Sequence, residues 1–148
     1  MKEAKQVVRN GNFEIPFAPE SVMPLFTPEG HRKWVEGWDA KPVFPAGSIE
    51  YFPNSVFITG RDSDPVVWTI LEAAHDHAEY IHTMGASAVG RIRVQATPAS
   101  NGCRVSATFI VTALDARGEE VLTHFTEAAF KDRLANWQKR LQAVLSQA

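Results

Sequence analysis

After Pro98 the chain contains no proline, and toward its C-terminus apolar side chains recur at helical rather than strand spacing. Phe130, Leu134, Trp137, Leu141, Val144 and Leu145 share one stripe, while Lys131, Asp132, Lys139 and Gln142 fall away from it. Glu119 and Glu120 stand in the first turn, where the helix dipole favours acids. The pattern predicts one helix over 119–146, about 40 Å long at about 1.5 Å per residue. Short helices cannot cover an apolar stripe of that length. It must lie along a sheet, with Trp137 and Leu141 buried there as structural residues away from any ligand.

The sheet is legible upstream. Val7 to Ile15 is a strand candidate, interrupted by Asn10-Gly11-Asn12. Two short helices follow, one over Pro19 to Phe26 and one from Thr27-Pro28-Glu29 to about Trp34. The second opens on a hydroxyl cap, a proline and an acid. Gly37 and Pro42 prevent any continuation. From there to 114 the reading is β, with strands at 41–45, 49–59, 66–74, 78–84, 88–97 and 102–114, separated by short turn-rich breaks. Such breaks imply an antiparallel meander. In the last strand Cys103, Val105, Ala107, Phe109, Val111 and Ala113 share one face, with Arg104, Ser106, Thr108 and Thr112 on the other. The preceding strand sets Ile92, Val94 and Ala96 against Arg91, Arg93 and Gln95. The fold class is α+β, with helices on one face of the sheet. A curved sheet closed by one long helix leaves a gap between them, and that gap is the expected pocket.

Composition narrows the partners. A length of 148 residues fits one domain able to bury a core without staples. Net charge is −2 with both signs interspersed, so nothing points to nucleic acid. Lys131, Arg133, Lys139 and Arg140 read as a solvated helix face. Cys103 is the only cysteine and reads as a buried, inert thiol. Together with Met1 to Asn10, which lacks an apolar signal core, it makes a reducing, cytoplasmic setting the expectation. No apolar run is long enough to span a membrane.

Several segments resemble a known group. Pro24-Leu25-Phe26-Thr27-Pro28-Glu29-Gly30 followed by Trp34-Val35-Glu36-Gly37-Trp38-Asp39 is similar to the opening of small proteins of the SRPBCC superfamily. That superfamily includes polyketide cyclase/dehydrase-like, START and Bet v 1 proteins. Val67-Trp68, Thr112-Ala113-Leu114 with Gly118, and Phe125-Thr126-Glu127-Ala128-Ala129-Phe130 agree in order and spacing. The resemblance implies a helix-grip fold, a seven-stranded curved antiparallel sheet wrapped on the C-terminal helix, with two short helices between strands 1 and 2. It carries over no catalytic residue set, because its members differ widely in chemistry.

Among candidate site residues the aromatic set stands first. Trp34, Trp38, Phe57, Trp68, Phe109, Phe125 and Phe130 would wall a pocket for a flat or hydrophobic molecule, with Trp34 and Trp38 near its mouth. His75-Asp76-His77 with His82 lacks a recognisable metal-ligand spacing and reads as a polar hairpin turn, so no metal or other cofactor is expected. No nucleophile elbow, dinucleotide fingerprint or phosphate loop is present. Acid–base chemistry depends on one register. If the loop between the strands 66–74 and 78–84 has three residues, Glu72, Tyr80 and His82 share a face with Trp68 and Ile70 and converge on the pocket. If it has four, Glu72 parts from Tyr80 and His82. The leading expectation is a binding module for a small apolar molecule, acting as carrier, sensor or sequestering domain. The alternative is a polyketide cyclase/dehydratase- or isomerase-like enzyme using acid/base groups in the same cavity. A protein-binding role is the third.

Overall fold

The computed structural model describes residues 5–61 and 63–147. Met1–Ala4 of the amino-terminal segment, Asp62 in the Gly60–Pro65 turn and Ala148 lie outside the described residues. The chain forms seven strands: β1 (Gln6–Ile15), β2 (Lys41–Phe44), β3 (Val56–Arg61), β4 (Asp64–Ala73), β5 (His77–Met84), β6 (Ala88–Ala99) and β7 (Gly102–Ala113). They form one curved antiparallel sheet in the order β1-β7-β6-β5-β4-β3-β2. From β2 to β7 each strand pairs with its sequence neighbour, while β1 returns to pair with β7. The inward face of β7 is the expected one: Cys103, Val105, Ala107, Phe109, Val111 and Ala113 are all buried.

The two helical pieces between β1 and β2 are shorter than the sequence suggests. α1 (Pro19–Val22) passes at once into a 3-10 turn at Met23–Phe26. Pro24 has no N–H for an α-helical bond at that point. The second piece is a 3-10 turn at Gly30–Lys33. Its N-cap is Glu29 rather than the expected Thr27, whose Oγ1 accepts from the Gly30 N–H at 3.0 Å and closes the turn leading into it. Gly30 packs so close to the Pro24 carbonyl and Leu25 that a side chain there would collide with backbone.

Two expectations need correction. The strand expected over 49–59 begins only at Val56, because Asn54 adopts φ 74° directly after Pro53, which interrupts the ladder. The single helix expected over 119–146 is two helices, α2 (Ala116–His124) and α3 (Glu127–Leu145). Asp115 caps α2 through the Gly118 N–H at 2.9 Å. Phe125 then leaves helical geometry (φ −93°, ψ 59°), and Thr126 caps α3 by accepting from the Ala129 N–H at 3.1 Å. The break places the Phe125 ring inside, while its carbonyl accepts from Arg9 Nε of β1 at 3.0 Å.

α3 lies across the sheet and packs on β1. Gly11 permits the close approach, since a Cβ there would run into Leu134 and Phe130. Leu141 is fully buried, and Leu141→Ala is expected to cost about 2–5 kcal/mol in denaturant unfolding. Among the described residues no helix is long and apolar enough to cross a membrane.

Candidate functional site

A half-open cavity of about 240 Å³ lies between the sheet and α3. Two larger hollows, of about 500 and 490 Å³, lie elsewhere, one along β1 and α3, the other between α1 and the β4–β5 turn. Only the cavity between the sheet and α3 gathers all four tryptophans. Trp34, Trp38, Trp68 and Trp137, the full complement of four, all line it. They reach it from the second 3-10 turn and the segment after it, from β4 and from α3.

The indoles are fixed by their own N–H groups. Trp34 Nε1 donates to the Leu25 carbonyl at 2.7 Å, Trp38 Nε1 to the Pro28 carbonyl at 2.9 Å, and Trp68 Nε1 to Thr59 Oγ1 at 2.9 Å. Ring contacts complete the wall. Phe26 meets Trp34 edge-on at 5.4 Å, and Trp137 lies 5.8 Å from Phe109. Phe57 stacks parallel on Trp68 at 5.8 Å, behind the lining. Phe125 and Phe130 likewise pack around Phe109 without lining the cavity. The structure thus brings Trp34, Trp38, Trp68 and Phe109 to the cavity and sets Phe57, Phe125 and Phe130 one layer back. Trp137, expected to stand away from any ligand, is partly buried and part of the wall.

His31 lies between the Trp34 and Trp38 rings, stacked at 5.5 and 4.7 Å, and lines the cavity. Its Nδ1 is 2.7 Å from the Thr27 carbonyl. A carbonyl only accepts, so Nδ1 carries the proton and the neutral ring keeps an unprotonated Nε2. Burial pulls the imidazole down to about 4, partly countered by that hydrogen bond, so His31 is neutral at pH 7. Tyr80 also lines the cavity, and its hydroxyl donates to the Phe26 carbonyl at 2.6 Å. Burial holds this phenol far above its ordinary value, so it does not ionise.

The proposed convergence of Glu72, Tyr80 and His82 does not form. Neither expected loop register occurs. Ala73 pairs with Ala78 and Glu72 with Glu79, but beyond the bulge at Leu71 the pairing becomes Ile70 with Tyr80 and Trp68 with His82. One extra residue turns every later side chain to the opposite face. Trp68, Ile70, Tyr80 and His82 point inward, whereas Glu72 faces outward. There its carboxylate accepts from Arg93 Nη1 at 2.9 Å and lies 2.8 Å from His77 Nε2. These contacts, Arg93 first, hold Glu72 below the ordinary carboxylate range. His82 stacks on Trp68 at 4.5 Å, and a Cβ on Gly90, its cross-strand partner, would occupy the ring's space. Burial first, then the nearby Arg133 charge, pull His82 down to about 4. Its Nδ1 is buried with no hydrogen-bond partner among the described residues. His75, Asp76 and His77 sit at the hairpin as a polar turn, with His77 Nδ1 2.8 Å from Asp76. Among the described residues no group of three or more His, Cys, Asp or Glu side chains is placed to hold a metal ion.

Besides Trp137, six lining residues are not among the expected site residues: the aliphatic Val35, Ile92 and Val94, and Phe26, His31 and Arg133. Arg133 is exposed as a residue, yet its guanidinium lies over Phe109 and Phe125, 5.3 and 5.2 Å from the ring centroids. Its position was available, because 130, 133, 134, 137 and 141 follow one helical stripe.

No protein-family model and no curated protein matches the sequence. Solved structures do match the fold. An uncharacterised protein from Rhizobium leguminosarum aligns over 99% of this chain and 98% of its own, with a TM-score of 0.67 at 12% identity. Norcoclaurine synthase from Thalictrum flavum, a point mutant in complex with a transition-state analogue, aligns over 99% and 98%, with a TM-score of 0.67 at 7% identity. The same synthase in complex with dopamine and hydroxybenzaldehyde aligns over 97% and 88%, with a TM-score of 0.66 at 7% identity. At such identities the likeness is one of fold: a Bet v 1-like helix-grip.

Proposed function

We propose that this helix-grip chain binds a small flat apolar molecule, about one aromatic ring in size, in the cavity beneath α3, as a carrier, sensor or sequestering protein. The observation that carries the reading is the gathering of all four tryptophans on one cavity wall. A core residue needs only apolar neighbours. Here three indoles are oriented by hydrogen bonds around a space of about 240 Å³. Water occupies about 30 Å³ per molecule in the liquid, so this space is worth about eight waters, too little for a sterol and enough for a substituted ring. Aromatic walls suit a flat occupant. The co-crystallised dopamine and hydroxybenzaldehyde of the Thalictrum flavum synthase are single-ring molecules of this size class, which supports the reading.

Binding is favoured over acid–base catalysis because the groups in the wall lack a carboxylate. Glu72 is on the far face, and Tyr80 is committed to the Phe26 carbonyl. Single-ring compounds such as indole or p-cresol are expected to quench tryptophan emission strongly. At a free concentration about a hundredfold above Kd they should stabilise the fold by about 2.7 kcal/mol. For a chain of this size that raises Tm by about 5–10 °C. Thermal melts and fluorescence titration against a single-ring panel, with a sterol as size control, check this. A flat response to every ring compound would overturn it.

A further inference from the structure

The geometry points to an anionic occupant: a single-ring aromatic carboxylate whose ring enters the cavity and whose carboxylate is held at the rim by Arg133. This inference rests on the cavity-binding reading and adds the chemical class of the ligand.

Arg133 is exposed as a residue, yet it lines the cavity and its guanidinium rests over Phe109 and Phe125, which places it where the cavity meets the surface. Its guanidinium lies over two phenyl faces, and no carboxylate or carbonyl accepts from it among the described residues. The contrast with other arginines is sharp. Arg91 reaches Glu79 at 2.8 Å, Arg93 reaches Glu72 at 2.9 Å, and on the same helix Arg140 reaches the Trp34 carbonyl and Glu36. Arg133 instead keeps its fork of donors unspent beside an apolar space, with burial lowering its affinity for its proton. A planar guanidinium in that state matches a carboxylate through two parallel hydrogen bonds. Nothing else on the cavity wall competes for the anion. His31 presents an unprotonated nitrogen, and the Tyr80 oxygen, having given its proton to the Phe26 carbonyl, can only accept. Both would repel a carboxylate and welcome a hydroxyl or N–H on the ring. The two poles together orient the molecule, with its negative end at α3 and a hydrogen-bond donor facing the 3-10 turn.

The alternative role for Arg133 is packing alone, its stem and head merely covering Phe109 and Phe125. Calorimetric titration of the full chain at low salt with 4-hydroxybenzoate and with 4-hydroxybenzyl alcohol separates the two. The compounds share size, ring and hydroxyl and differ in charge. The acid is expected to bind at least about tenfold more tightly than the alcohol. Arg133→Met, which keeps an apolar stem over the rings, should bring the ratio close to one, and Arg133→Lys should leave only part of it. If the alcohol binds as well as the acid, or the ratio survives Arg133→Met, the anion assignment is wrong while the cavity reading stands. If neither compound binds, both are wrong. Should Arg133→Met fail to fold, the wild-type ratio and Arg133→Lys still decide.

Discussion

Phe26→Ala is expected to lower the unfolding free energy by about 3–5 kcal/mol, a large share of the roughly 5–15 kcal/mol that holds a typical domain together. The ring is 1% exposed and touches aromatic neighbours from separate parts of the chain, Trp34 at 5.4 Å, Trp137 at 5.6 Å and His31 at 6.3 Å. Its loss would enlarge a void that already exists, so the neighbours have little to collapse onto. At about 2–4 °C per kcal/mol, Tm should fall by about 6–20 °C. Thermal and urea melts measure both quantities. A cost below about 1.5 kcal/mol would mean that the aromatic wall repacks freely, which would undercut its description as a fixed surface.

The second large effect is acid sensitivity. His31 and His82 are each held near 4 in the folded chain against an ordinary 6.5, chiefly by burial. Between those values the unfolded chain binds protons that the folded chain refuses. Stability is therefore complete above about pH 6.5 and falls as pH drops toward 4. At about 1.4 kcal/mol per pKa unit the loss approaches 3 kcal/mol for each ring, an upper figure because both retain some solvent contact. The outward carboxylates act in a lower window. Glu72 and Asp76 are held below their ordinary range by contacts to Arg93 and His77, and Asp115 by the Gly118 and Ser87 hydrogen bonds. Their stabilisation is present at higher pH and is lost only as they protonate below about 4. Urea midpoints from pH 7.5 to 4.5 should thus fall steeply in the wild type and less in His82→Gln or His31→Gln. Parallel curves for wild type and both variants would show that burial of these rings does not cause the drop.

Sequence pattern disclosed the sheet where one face is wet and the other dry. β7 and β6 alternate without interruption, so their inward residues followed from period alone. The helix after them was legible in its apolar stripe but not in its break. Phe125 and Thr126 include neither glycine nor proline, and the break depends on a buried ring and on Arg9 from a distant strand. Only the Thr126-Glu127 pair, a cap followed by an acid, marked it locally. Glu72 was lost to the bulge at Leu71, which leaves no compositional trace yet reverses a face. Arg133 was hidden by its charge. A basic side chain reads as solvated wherever it stands on a helix, although position 133 belongs to the stripe. His31 falls within the short capped helix expected from Thr27 to about Trp34, and only tertiary packing sets it between two indoles.

The strand order has a consequence in time. Each of β2 through β7 finds its partner within the next stretch of chain to be synthesised, so those hairpins can zip as they emerge. β1 has no such neighbour. Gln6 pairs with Thr112, and the helix that packs over β1 is later still. Of the seven strands of this sheet, the first to be made is therefore the last to be satisfied. Until β7 and α3 arrive it carries an unpaired edge and exposed valines through the synthesis of the five strands between, the interval in which a chaperone or a wrong partner has its best opportunity.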